Sequence, residues 1–143
     1  MVDLGISVQR QDFDVLKEIK KLQGNRIDIG SLSSFIGIVR DVPLIIEHYP
    51  GMTENTLSNL RKYAIDRFKL LDARIIHRYG ALEPGDQIVL VLATSNHRKP
   101  AIEAVDFMMD NLKTKAPFWK KEGESWVSQR IQDLNATKMW DQD

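Results

Sequence analysis

The sequence predicts an α+β fold, and three observations carry that prediction. Residues 87–94 (QIVLVLAT) form an almost unbroken apolar run of strand length, as expected of a central strand buried on both faces. Residues 72–79 (DARIIHRY) alternate in the manner of a second strand, and the turn signal Glu83-Pro84-Gly85-Asp86 separates the two, so an antiparallel pair is expected. Two stretches with helical spacing, near 53–68 and 100–115, interrupt the strands irregularly rather than in strict β-α-β order.

The remaining elements follow in chain order. Val15, Ile19 and Leu22 recur at helical spacing within 11–22, with Asp12 as the expected cap and Gly24 as the stop. Residues 26–41 are rich in isoleucine and read as one or two strands, and Gly37 inside them marks a bulge or a close backbone approach. Asp41-Val42-Pro43 is a tight break, and 44–48 a short strand. Tyr49-Pro50-Gly51-Met52 is a turn, after which Thr53 is placed to cap a helix whose stripe is Leu57, Leu60, Ala64 and Phe68. Pro100 suits the first position of the next helix. Ala101, Val105, Met108, Met109 and Leu112 form its core stripe, and Pro117 ends it near Lys115. Beyond that, Pro117-Phe118-Trp119 reads as a turn pinned by two buried aromatics, followed by a short strand at Trp126-Val127 and a helical tail.

Composition narrows the function classes. The chain of 143 residues fits one domain spanning 1–143, with a tail from about residue 131 expected to pack on a partner. Lysine plus arginine and aspartate plus glutamate both number 20, so the formal charge is zero, which argues against a protein built mainly to grip nucleic acid. Cysteine is absent, which excludes thiolate metal sites, disulfides and a cysteine nucleophile. No leader or spanning run is visible, so the expectation is a soluble, cytoplasmic protein. No spacing of His, Asp or Glu supports a metal site, and no phosphate-cradling glycine loop is present.

Three constellations bear chemistry. Ser95-Asn96-His97-Arg98-Lys99 sits where a buried strand gives way to a helix. Free N–H groups at a helix start attract anions, and three cationic residues there oppose the helix dipole. An anionic ligand would explain that conflict, and so would three side chains that merely face water. The second is LKTKAPFWKKE (112–122), with four lysines within nine residues. Lys113 and Lys115 suit the last turn of a helix. A turn at Pro117 would bring Lys120 back toward Lys113, and two close ammonium groups lower each other's pKa. The third is Arg40 at the end of FIGIVR, either a solvated charge or a fork for phosphate or carboxylate. His48 and His77 read as hydrogen-bonded structural histidines.

The stretches EHYPGMTE (47–54), IHR-G-LEPGD within IHRYGALEPGD (76–86), TSNHR (94–98) and FMMDNLKTKAPFWKKE (107–122) resemble the large, catalytic subunit of molybdopterin synthase, collinearly from about Phe35 to Arg130. The resemblance implies an α/β hammerhead-type fold. It implies a homodimer whose members each bind a small ubiquitin-like sulfur-carrier subunit, giving a heterotetramer. It implies sulfur transfer from the carrier's C-terminal thiocarboxylate to cyclic pyranopterin monophosphate (precursor Z), with no cofactor of its own, no metal, and no nucleic-acid or membrane partner. It assigns Lys113 and Lys120 as catalytic. It assigns Arg40, His97 and Arg98 to the substrate pocket, with Arg130 entering from the neighbouring large subunit. The chain departs from the family pattern in a short link, DVPLII, between Arg40 and Glu47, in Ile38, where a lysine is common, and in Lys99-Pro100. Two other readings are a nucleotide- or RNA-binding module that stacks bases on Trp119, and an inactive scaffold that only binds the carrier.

Overall fold

The run QIVLVLAT becomes the buried centre of the molecule because its alternate side chains serve two different cores. Val89, Val91 and Ala93 belong to a large apolar cluster on one face, and Leu90 and Leu92 to a smaller one with Ile76 on the other. The computed structural model describes residues 4–122 and the backbone of 125–126. Its strands are β1 (Ile6–Gln9), β2 (Ser31–Ile38), β3 (Leu44–His48), β4 (Asp72–Arg78), β5 (Gly80–Leu82), β6 (Gln87–Ser95), β7 (Phe118–Glu122) and β8 (Ser125–Trp126). The helices are α1 (Val15–Gln23), α2 (Met52–Phe68) and α3 (Arg98–Lys115).

The strands form two four-stranded sheets, ordered β1-β4-β6-β2 and β5-β3-β7-β8. All their ladders are antiparallel except β1 with β4. The expected pair of 72–79 and 87–94 is the β4–β6 ladder, with Ile75 opposite Val91. The expected irregularity at Gly37 is a register shift between Gly37 and Ile38 in the β2–β6 ladder. There a Cβ on Gly37 would lie 2.7 Å from Val89 Cγ1. One face of the first sheet carries α1, through Val15, Ile19 and Leu22. The other carries α2 and α3, through Leu57, Ala64, Ala104, Met108 and Leu112. This is the α+β architecture with a mainly antiparallel sheet and flanking helices that the sequence predicts.

Several local expectations are corrected. The cap of α1 is Asp14, whose Oδ1 accepts from Lys17 N at 3.1 Å. Asp12 is instead drawn to β6, accepting from Gln87 Nε2 at 2.8 Å. Gly24 does close the helix, donating to the Lys20 carbonyl. Helix α2 starts one residue earlier than expected, with Gly51 as its cap residue and Glu54 Oε2 accepting from Gly51 N at 2.6 Å. Thr53 is fully buried within the first turn, where its hydroxyl donates to the Tyr49 carbonyl at 2.8 Å. Pro100 stands third in α3, not first, still inside the turn where a missing N–H costs no helical bond. Residues 118–122 form a strand rather than a turn, and Trp119 is 47% exposed rather than buried. The Val127 strand residue, Trp140, Arg130 and the tail lie outside the described residues.

The short Arg40–Glu47 link is a corner between the two sheets, since β2 belongs to the first and β3 to the second. The chain reverses at Asp41, which adopts φ 70°, and Val42 N donates back to the Arg40 carbonyl at 2.8 Å.

Candidate functional site

Strand β7 places the second lysine. It pairs with β3 so that Ile46 faces Lys120 and His48 faces Phe118. Side chains alternate across a strand, so Phe118 and Lys120 share one face of the second sheet while Trp119 and Lys121 take the other. The shared face is the inner one: Ile46 is 1% exposed, and the Phe118 ring packs on the core. A lysine on an inner face keeps its ammonium close to buried groups, an arrangement that burial alone disfavours.

Beneath it lies His77, in β4 and 4% exposed. Its ring stacks on Phe118 with centroids 3.7 Å apart and planes 17° from parallel. Its Nδ1 lies 2.8 Å from the Arg78 carbonyl, an oxygen that can only accept, so Nδ1 carries the proton and Nε2 the lone pair. Burial is the main reason His77 falls from 6.5 to about 3; the Arg78 backbone bond opposes the shift, and the proximity of Lys120 and His48 adds to it. His48 sits beside Tyr79 with ring centroids 4.5 Å apart, and its Nδ1 lies 3.1 Å from Thr53 Oγ1. Both histidines are therefore hydrogen-bonded within the fold, as their strand positions suggest.

Lys113 occupies the last turn of α3 and is exposed. Only Ala116 and Pro117 separate that helix from β7, and Phe118 N bonds back to the Ala116 carbonyl at 2.8 Å. Lys113 and Lys120 thus flank one tight corner, although a strand, not a turn, carries the second of them.

His97 and Arg98 stand at the opposite end of α3, His97 as the cap residue and Arg98 as the first helical residue, both exposed. Fifteen helical steps separate Arg98 from Lys113, about 22 Å along the axis. The structure therefore does not bring the lysine corner and the His97/Arg98 corner together within one chain. The latter is held by backbone contact: Gly30 N donates to the Ser95 carbonyl at 3.0 Å, Asn96 Nδ2 donates to the Asp28 carbonyl at 2.9 Å, and the Ser95 hydroxyl bonds to the His97 carbonyl. Arg40 is exposed on the corner between the sheets, 3.4 Å from Asp41 Oδ2. Arg130 lies outside the described residues.

Two clefts of about 430 and 350 Å³ are lined in part by Lys62 and Asp66 and by Glu18 and Arg74, and by none of the candidate residues. Among the described residues no group of three or more His, Asp or Glu is placed to hold a metal ion. Nor is any helix among them long and apolar enough to cross a membrane. Sequence reasoning missed the stacked His77–Phe118 pair, because the residues are 41 positions apart and lie on strands of different sheets. The one available signal was the aromatic pair directly after Pro117.

Comparison with known proteins places the chain in a family. The family model described as MoaE protein matches residues 8–115. A molybdopterin synthase catalytic subunit from Ralstonia nicotianae is 48% identical, the alignment covering 94% of this chain and 83% of the relative. One from Brucella melitensis is 43% identical, over 97% of this chain and 92% of the relative. Among solved structures, the molybdopterin biosynthesis MoaE protein from Burkholderia ambifaria superposes with a TM-score of 0.85 at 45% identity, covering 94% of this chain and 96% of that one. With a matching family model over most of its length and such relatives along nearly all of it, the chain belongs to the MoaE family.

Proposed function

We propose that the protein is the catalytic subunit of a molybdopterin synthase, moving sulfur from a carrier protein's C-terminal thiocarboxylate onto cyclic pyranopterin monophosphate. The observation that carries this reading is the lysine corner in a chain of this family: Lys120 on an inner sheet face, and Lys113 across a two-residue link. A thiocarboxylate is an anion and a nucleophile, so cationic side chains would steer its tail inward and hold the sulfur against the substrate. Lys113 is the main catalytic group, as acid/base or through a transient acyl link to the carrier's tail, and Lys120 assists protonation and binding. The chain contains no cysteine, so the sulfur arrives with the partner, and the reaction draws on no cofactor of this subunit.

His97, Arg98 and Arg40 offer donors suited to a cyclic phosphate. The helix-length gap between Arg98 and Lys113 supports a pocket assembled from two large subunits, one supplying the lysines and the other the His97/Arg98 corner. Arg130 from the neighbour would complete it. Two carriers on such a dimer make the heterotetramer.

The test is reconstitution. Protein mixed with its thiocarboxylated carrier and precursor Z should yield the dithiolene product, and Lys113→Ala should abolish it. No product from the unaltered protein with its cognate carrier would sink the reading. Mixing inactive Lys113→Ala with inactive Arg98→Ala should restore part of the activity in mixed dimers, and no recovery would reject the two-copy pocket.

A further inference from the structure

We infer that His77 is a positioning residue for Lys120: its buried imidazole, fixed between the Arg78 carbonyl and the Phe118 ring, presents Nε2 as the acceptor that holds the Lys120 ammonium. This rests on the proposed role of Lys120 and adds a residue that the resemblance does not assign.

Three observations support it. First, the ring cannot turn freely. Nδ1 is held at 2.8 Å by a carbonyl, and one face is covered at 3.7 Å by Phe118, two residues before Lys120 in the same strand. The element that carries the lysine therefore also fixes the imidazole. Second, the tautomer is set. A carbonyl partner requires the proton on Nδ1, which leaves Nε2 as an acceptor with no proton to donate. Third, the ring stays neutral at working pH, held at about 3 chiefly by burial, with the Lys120 charge adding to the depression. A neutral acceptor can hold an ammonium without repelling it, whereas a protonated ring could not.

A lysine has four rotatable bonds, so a fixed acceptor narrows where its ammonium sits. Misplacement of a reacting group by about 1 Å can cost on the order of a hundredfold in rate. Strand β4 of the first sheet offers this acceptor against the inner face of the second, where β7 directs Lys120 inward.

The experiment has a spectroscopic arm and a kinetic arm. The chain has three histidines, so ring-nitrogen resonances in ¹⁵N-histidine-labelled protein can be assigned by single substitution. His77 should show the Nδ1-protonated neutral form at neutral pH. Lys120→Met should displace its Nε2 resonance while leaving His97 unchanged. An Nε2-protonated ring, or His77 resonances indifferent to Lys120→Met, overturns the inference whatever the activity. In the reconstituted reaction His77→Phe, which retains a ring against Phe118, should lower kcat about tenfold or more with KM little changed, and should cause no further loss on the Lys120→Met background. Multiplicative losses in the double variant overturn the inference. Full activity in Lys120→Met together with a displaced Nε2 resonance would support the ring–ammonium contact and reject the catalytic role of Lys120, so the two failures are distinguishable.

Discussion

His77 should make the fold acid-sensitive by an amount that its burial sets. In the unfolded chain the imidazole takes up a proton near pH 6.5, whereas in the fold it does so only near about 3. Below pH 6.5 the unfolded state therefore binds a proton that the native state refuses. Stability is complete above 6.5 and declines as pH falls toward 3. Each unit is worth about 1.4 kcal/mol, so the full loss approaches about 5 kcal/mol, and roughly half of it is gone by about pH 4.5. The informative perturbation is His77→Phe, which keeps an aromatic ring on Phe118 and removes the titration. It also leaves the Arg78 carbonyl without its ring donor, a pH-independent cost of about 1 kcal/mol. Urea unfolding of both proteins at about pH 7 and about pH 4.5 separates the effects, because titrating carboxylates contribute equally to each and cancel in the difference. The unaltered protein should lose about 2–3 kcal/mol more than the variant across that interval. Equal pH dependence in the two would refute the claim that a buried, neutral His77 underlies it.

Three further outcomes follow from the same structure. Gly30→Ala would place a Cβ 1.9 Å from the Asn96 carbonyl oxygen, against backbone that no side-chain rotation can relieve. It should destabilise by about 1–3 kcal/mol and move the amide resonances of His97 and Arg98; a superimposable spectrum would reject the contact. Leu90→Ala empties a fully buried site between β6 and α1 and should cost about 2–5 kcal/mol in denaturant unfolding. Asp14→Ala removes the α1 cap for about 1 kcal/mol, while Asp12→Asn should leave that helix intact, as amide exchange at Lys17 would show.

Where local pattern and tertiary role coincide, the sequence was legible. QIVLVLAT is central because both of its faces are apolar, and DARIIHRY pairs beside it across a connection that carries β5 into the second sheet. Helices α2 and α3 declare themselves through stripes that face one core. The helix starts were less legible, because Asp12 and Asp14, or Gly51 and Thr53, compete for one cap, and the choice falls to contacts made elsewhere: Gln87 for Asp12, Tyr49 for Thr53. The strand β7 was missed for a related reason. FWKKE does not alternate in polarity, and Pro117 before two aromatics favours a turn on local grounds. Pairing with β3, more than 70 residues earlier, overrides that preference and turns Trp119 outward to solvent.

The same long-range pairing separates the four lysines of LKTKAPFWKKE, which composition treats alike. Lys113 and Lys115 end a helix, where their charge suits the dipole, so their position alone demands no functional explanation. Lys121, half-buried like Lys120, lies on the other side of β7, opposite half-exposed Ile45. Lys120 alone is directed inward, opposite Ile46 and above a neutral histidine. A fold selected for stability would place an aliphatic side chain there, since burying the stem of a lysine gains less than burying a leucine and the ammonium must still be satisfied. The comparison of Lys120→Leu with Lys121→Leu therefore tests function against structure. Lys120→Leu should preserve or raise the unfolding midpoint while lowering sulfur transfer, and Lys121→Leu should change both only slightly. If Lys120→Leu unfolds the chain as readily as it stops the reaction, the lysine is part of the scaffold and the inward placement has a structural cause.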